Sequence, residues 1–155
     1  PCDDLPKMLT RAKAEDEAAL VALFDAGFES YARGLNRASV TRAPWVRKAI
    51  AEDAAWWVGA RDGAAFMALS GSTWALDALV IDPAKQGTGL GQKALVAIEA
   101  HAQAIGATEV ALHTAQAFTH LVAFYSKAGY RVQSVGPHPK GRDDRLRVFM
   151  IKSLV

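Results

Sequence analysis

The run from Ala78 to Gly106, A-L-V-I-D-P-A-K-Q-G-T-G-L-G-Q-K-A-L-V-A-I-E-A-H-A-Q-A-I-G, constrains this chain more than any other. An apolar stretch stops at Asp82-Pro83. Glycines follow at 87, 89 and 91, and then an unbroken helical pattern begins. Strand, glycine loop, helix is the order that turns backbone N–H groups and a helix N-terminus toward an anion. Taken alone, it reads equally as a tight strand-to-helix turn. Two common nucleotide loops are excluded. Gln92 stands five residues after Gly87, where both G-x-x-x-x-G-K-[ST] and G-x-G-x-x-G require glycine. The pattern present is Q-x-x-G-x-G, Gln86 to Gly91.

The flanking sequence predicts the elements that hold this loop. Met8 to Lys13 has weak strand alternation. Ala14-Glu15-Asp16-Glu17 begins a helix, with acids in its first turn and Leu20, Leu23, Phe24 and Phe28 on its buried face. A second helix is expected from Pro44 to Ala54. Strands at 56–60, 65–69 and 73–81 form an antiparallel meander, with Arg61-Asp62-Gly63 as a hairpin turn. The 74–81 stretch is apolar on both faces apart from Asp77, so it should be central. The helix after the loop carries Leu90, Ala94, Leu95, Ile98, Ala102 and Ile105 on one side and stops at Gly106. A strand at 109–114, a helix at 118–128, and strands at 130–135 and 146–152 complete the chain. The order β-α-α-β-β-β-α-β-α-β-β describes an α/β (α+β) protein with a mixed, mostly antiparallel central sheet flanked by helices. At 155 residues, one domain is expected.

Composition narrows the function classes. A net charge of +2 suits an anionic cofactor but gives no basic stripe for nucleic acid. Cys2 is the single cysteine, which leaves no internal disulfide or cysteine metal cluster. The four histidines are scattered without ligand spacing, so no metal is expected. No signal-peptide pattern or transmembrane run is visible, and the expected location is the cytoplasm.

Downstream stands Phe124-Tyr125-Ser126-Lys127-Ala128-Gly129-Tyr130. Together with Ile81-Asp82-Pro83 and Gln86-Gly87-Thr88-Gly89-Leu90-Gly91, it resembles the GCN5-related N-acetyltransferase family. Its members carry a V-x-P-x-x-[QR]-[GR]-x-G-[IL]-[GA]-like segment before a helix, and F-Y-x-x-x-G-[FY] further on. The resemblance implies acetyl-CoA as co-substrate and an amine of a small molecule or peptide as acceptor. It implies that the N–H groups from Gly87 to Gln92, through Thr88, Gly89, Leu90 and Gly91, hold the pyrophosphate. Gln86 would support the loop or contact a phosphate. Leu79, Val80 and Ile81 would pair with the pantetheine arm, which requires their strand to splay from 109–114. A backbone N–H near Leu79 or Val80 would polarise the thioester. Tyr125 would protonate or order the departing thiolate. Phe118 stands where many members have asparagine, so that contact would pass to Thr119 or Gln116 or be lost.

Other candidates come from the residues themselves. Asp77, a carboxylate in an apolar strand, would have its pKa raised by burial and suit base work, although an acid paired with a neighbouring arginine, or sitting on an exposed part of that face, is the blander reading. His113 is the second base candidate; His101 and His120 read as structural. Phe28, Glu29, Tyr31, Arg33, Arg37 and Trp45 are candidates for the acceptor side. Trp56 and Trp57 point to opposite strand faces, so one should be core and the other should face the cleft or a homodimer partner. Lys140, Arg142, Arg145 and Arg147, offset by Asp143 and Asp144, read as a solvated hairpin. A CoA-binding module without turnover, and an ATP-using enzyme, are the competing functions.

Overall fold

The computed structural model describes residues 7–36, 40–141 and 143–155. Cys2, Arg37 and Arg142, named above, lie outside the described residues. The elements are β1 (Leu9–Arg11), α1 (Glu17–Gly34), α2 (Ala43–Ala51), β2 (Ala55–Val58), β3 (Gly63–Ser70), β4 (Thr73–Ile81), α3 (Leu90–Ala104), β5 (Glu109–Ala115), α4 (Thr119–Lys127), β6 (Arg131–Gly136) and β7 (Arg147–Ser153). This is the expected order. The seven strands form one sheet, β1-β2-β3-β4-β5-β7-β6, with β4 at its centre. Its pairings are antiparallel except between β4 and β5.

Each sheet face buries its own core. Trp56, Trp74, Leu76, Val110, Leu112 and Met150 pack with Leu95, Ile98 and Ala102 of α3. On the other face Trp57, Ala64 and Val80 pack with Leu20 and Phe24 of α1 and Val46 of α2. Successive strand side chains point to opposite faces, so Trp56 and Trp57 enter different cores. Both are buried, at 6% and 4% exposure, which corrects the expectation that one faces outward. His101 is structural, its ring centroid 4.8 Å from that of Trp56 and 5.2 Å from that of Trp74. Ile105 departs from expectation and is 44% exposed, because it lies beyond the last helical residue, Ala104. Helix α2 ends earlier than predicted, with Asp53 at a left-handed φ of 55°. The β2–β3 turn places its left-handed residues at Gly59 and Arg61, and Gly63 already belongs to β3.

Helix α1 lies unusually close to β4. A Cβ built on Gly27 would sit 1.8 Å from Val80 Cγ2, and Val80 is 6% exposed. A buried side chain wedged between helix and sheet has no free volume to enter. Gly27→Ala is expected to lower the stability in a urea titration by about 2–3 kcal/mol, because overpacking outweighs the gain in helix propensity. An unchanged or raised midpoint would show that the interface can part at no cost.

Candidate active site

The site forms where β4 and β5 separate. Their parallel ladder runs only from Thr73↔Glu109 to Ala75↔Ala111. Beyond it, among the described residues, the β5-facing edge of β4 from Leu76 to Ile81 has no strand partner. An extended amide-bearing chain can add to such an edge as a strand does. The splay expected for Leu79, Val80 and Ile81 is therefore present. At its start, Phe66 pairs with Ala78 and Met67 with Leu76, so Asp77 is the extra residue of a β-bulge. Bulges re-aim side chains, and Asp77 lines the cleft here.

The strand runs straight into the glycine loop. Asp82 ends it by accepting a hydrogen bond from Ala84 N at 3.0 Å. Gln86 Nε2 donates to Ile81 O at 3.3 Å, so its side chain ties the loop back to β4. Thr88 Oγ1 donates to Lys85 O at 2.7 Å, which also braces the loop. Gly87 and Gly89 sit at φ of 81° and 80°, and a Cβ built on either meets nothing within 4 Å. Open space beside left-handed backbone is what a bulky anion needs in order to approach the N–H groups. Gly89 caps α3 and has no side chain of its own to take up the first-turn N–H groups of Leu90, Gly91 and Gln92. These features fit the pyrophosphate of coenzyme A.

Helix α4 packs beside this loop. A Cβ on Gly91 would stand 3.4 Å from the Phe124 ring, so Phe124 holds α4 against α3. The next residue, Tyr125, faces the cleft and is half-buried. Burial, and secondarily the neighbouring Tyr31, push its phenol up to about 12. It remains a neutral O–H donor at neutral pH.

Phe118 makes an aromatic contact in place of the relatives' asparagine. Its ring lies 4.6 Å from Tyr31, and a Cβ on Gly34 would come within 2.7 Å of it. Tyr31 Oη in turn accepts from Ala115 N at 3.2 Å, tying α1 to the end of β5.

The cleft is about 1190 Å³ and continues past this junction. Phe28, Tyr31, Arg42 and Trp45 line it on the α1–α2 side, with His113, His138 and Lys140 opposite. Asp77 is exposed to the cleft, the blander of its two readings as to burial. Its pKa is still raised, chiefly because nearby protein partly desolvates the carboxyl, while Lys140 pulls it down. Sequence reasoning missed Arg42 and His138, which carry no motif. It also misread Arg147: this side chain is 2% exposed, and its Nη2 meets Asp143 Oδ2 at 2.8 Å. Glu29 and Arg33 pair with each other at 3.0 Å on the exposed face of α1. His120 is exposed at the rim, edge-on to Phe118. Among the described residues no group of three or more metal-ligating side chains occurs, and no helix is long and apolar enough to cross a membrane.

Comparison with known proteins bears on this geometry. Residues 19–130 match the model of the acetyltransferase (GNAT) family. No curated protein is similar enough in sequence to count as a match. Among solved structures, a PaiA N-acetyltransferase from Thermoplasma acidophilum in complex with coenzyme A superposes with a TM-score of 0.75. It is 15% identical, over 94% of this chain and 97% of that one. An aminoglycoside 6'-N-acetyltransferase complexed with coenzyme A gives 0.71 at 17% identity, over 95% and 97%. The ribosomal-protein-S18-alanine N-acetyltransferase of Escherichia coli gives 0.68 at 12%, over 94% and 92%. At such identities the likeness carries the fold, whereas the family match rests on the sequence itself. The chain belongs to the acetyltransferase (GNAT) family and is an acyltransferase.

Proposed function

We propose that this protein transfers the acetyl group of acetyl-CoA to a primary amine by direct attack within a ternary complex. The observation that carries this is the continuity of one cleft. The unpaired edge of β4 leads to an open glycine cradle at the N-terminus of α3, and Tyr125 faces the same space. Acetyl-CoA supplies the thioester that is acylating when bound. The N–H groups from Gly87 to Gln92 bind its pyrophosphate, and the edge at Leu79, Val80 and Ile81 orients the pantetheine arm. Tyr125 Oη, kept protonated by burial, gives its proton to the sulfur that leaves. Asp77 takes the proton of the acceptor ammonium, directly or through water. Because its pKa lies above the ordinary 3.8, activity should fall as pH drops through that raised value, and Asp77→Asn should abolish this acid limb.

Thermal shift tests the cofactor. A ligand that binds only the folded state, at about 100 times its Kd, stabilises by roughly 2.7 kcal/mol. Acetyl-CoA is expected to raise Tm and ATP to leave it unchanged; the reverse result would overturn the reading. Tight acetyl-CoA binding without thiol release for any amine would instead indicate a binding module.

A further inference from the structure

The acceptor half of the cleft joins one carboxylate to a wall of aromatic rings. Asp77 is the extra residue between the Phe66↔Ala78 and Met67↔Leu76 pairs, so it stands one step along β4 from the partner of Phe66. Among the described residues its carboxylate has no hydrogen-bond or ion-pair partner, and Lys140 acts on it only at longer range. From Phe66 the rings run on without a break. Centroids lie 4.2 Å apart to Phe24, 5.9 Å on to Phe28, 5.7 Å on to Tyr31 and 4.6 Å on to Phe118. Phe24 is core, whereas Phe66, Phe28, Tyr31 and Phe118 are half-buried and line the cleft. Three other cations of the cleft have acidic partners: Lys48 meets Glu52 at 4.0 Å, Lys85 meets Asp62 at 3.3 Å and Arg147 meets Asp143 at 2.8 Å. An aromatic wall gives a flat apolar group dispersion and ring contacts. Hydroxyls or charges laid on it lose their water without a replacement partner.

On the footing of acetyl transfer in this cleft, we propose that the acceptor is a primary amine with one positive charge and a flat aromatic body, an arylalkylamine in chemical class. Asp77 takes its ammonium, and the half-buried rings from Phe66 to Phe118 take its aromatic body. A polyamine or an aminoglycoside brings further ammonium groups or hydroxyls to the same rings and to Lys140, and is disfavoured. In the transfer, the ammonium first gives one proton to Asp77. The nitrogen then bonds to the acetyl carbon, and the carbon–sulfur bond breaks. The nitrogen's second proton passes to water, and the thiolate takes one from Tyr125, which is reprotonated from solvent. The aromatic body is unchanged by the reaction, so it contributes only to recognition.

The test needs no mutation at first. With acetyl-CoA and a thiol-release assay, 3-phenylpropylamine and tryptamine are compared with propylamine, spermidine and kanamycin. Burial of the ring should raise kcat/KM for 3-phenylpropylamine about tenfold or more over propylamine. These two amines differ by the ring alone and are of similar basicity, so the preference reports recognition and not reactivity. Phe28→Leu keeps apolar volume but removes a flat ring. It should reduce the preference for 3-phenylpropylamine over propylamine about fivefold, with its melting curve recorded beside it. The preference is a ratio within one variant, so a general loss of stability does not imitate the effect. Propylamine equal to or better than 3-phenylpropylamine, spermidine or kanamycin turned over best, or a preference unmoved in Phe28→Leu would overturn the proposal while leaving acetyl transfer standing. Failure of acetyl transfer itself looks different: no amine of any class releases thiol.

Discussion

Tyr125→Phe should lower kcat by about 100-fold at neutral pH while changing KM for acetyl-CoA by no more than about threefold. The substitution removes one oxygen from a half-buried ring whose packing partners, Phe124 at 5.1 Å and Tyr130 at 5.8 Å, are untouched. On the proposed reading the cofactor is held by the glycine loop and β4, so ground-state affinity should be largely preserved. The missing interaction is made only as sulfur departs, which places the loss in kcat. Steady-state kinetics on a matched parent give the answer. A variant with parental kcat would remove Tyr125 from proton transfer. The pH profile supplies a second check. The phenol is pushed up to about 12, so the donor form persists across the working range and adds no alkaline limb below that value. The same shift has a sign for stability. The folded state holds this proton more tightly than the usual 10.0, so its contribution is complete below about pH 10 and is lost as pH rises toward 12.

Asp143→Ala should destabilise the fold by roughly 3–5 kcal/mol, seen as a lower urea midpoint and a Tm reduced by about 10 °C. Arg147 is the most buried charged side chain described, at 2% exposure. Two of its nitrogens meet Asp143, at 3.1 Å and 2.8 Å, and Nη1 also donates to Arg145 O at 3.0 Å. Removing the carboxylate leaves a guanidinium desolvated without its counter-charge, the costly half of breaking a buried pair. Replacing both members, Asp143→Leu with Arg147→Met, should recover most of the loss, because no buried charge then remains. If the single change costs less than about 1 kcal/mol, the pair behaves as an exposed one. The pair ties the 137–146 segment, which brings His138 and Lys140 to the cleft, to the start of β7.

These two residues differ in how far the chain's letters betray them. Tyr125 stands in a motif whose spacing to the glycine loop is fixed by one helix and one strand, so it was legible. So were the element order, the central β4 and its splay, since each follows from a local period or from the family resemblance. Arg147 was not. It sits among Lys140, Arg145, Asp143 and Asp144, and a run of alternating charges looks solvated whichever member is buried. Gly27 was equally silent: nothing in A-G-F signals that Val80, far away in sequence, needs its side-chain volume. Arg42 lies between two helices with no period or motif, and the rings of Phe28 and Trp45 meet it only once α1 and α2 pack. Asp77 was noticed, but the bulge that turns it into the cleft depends on β3 skipping one partner.

By itself, the sequence determined the strand, glycine loop and helix, and the tyrosine that lines the same cleft. Those rest on backbone geometry and short-range spacing, which residue types such as glycine and proline encode directly. Tertiary structure alone decided the acceptor half. There Arg42, Asp77, His113, His138 and Lys140 converge from four separate segments, and Arg147 is withdrawn into the protein. Charge in such a site depends on which groups are desolvated and which are paired, and that is fixed only when distant segments meet.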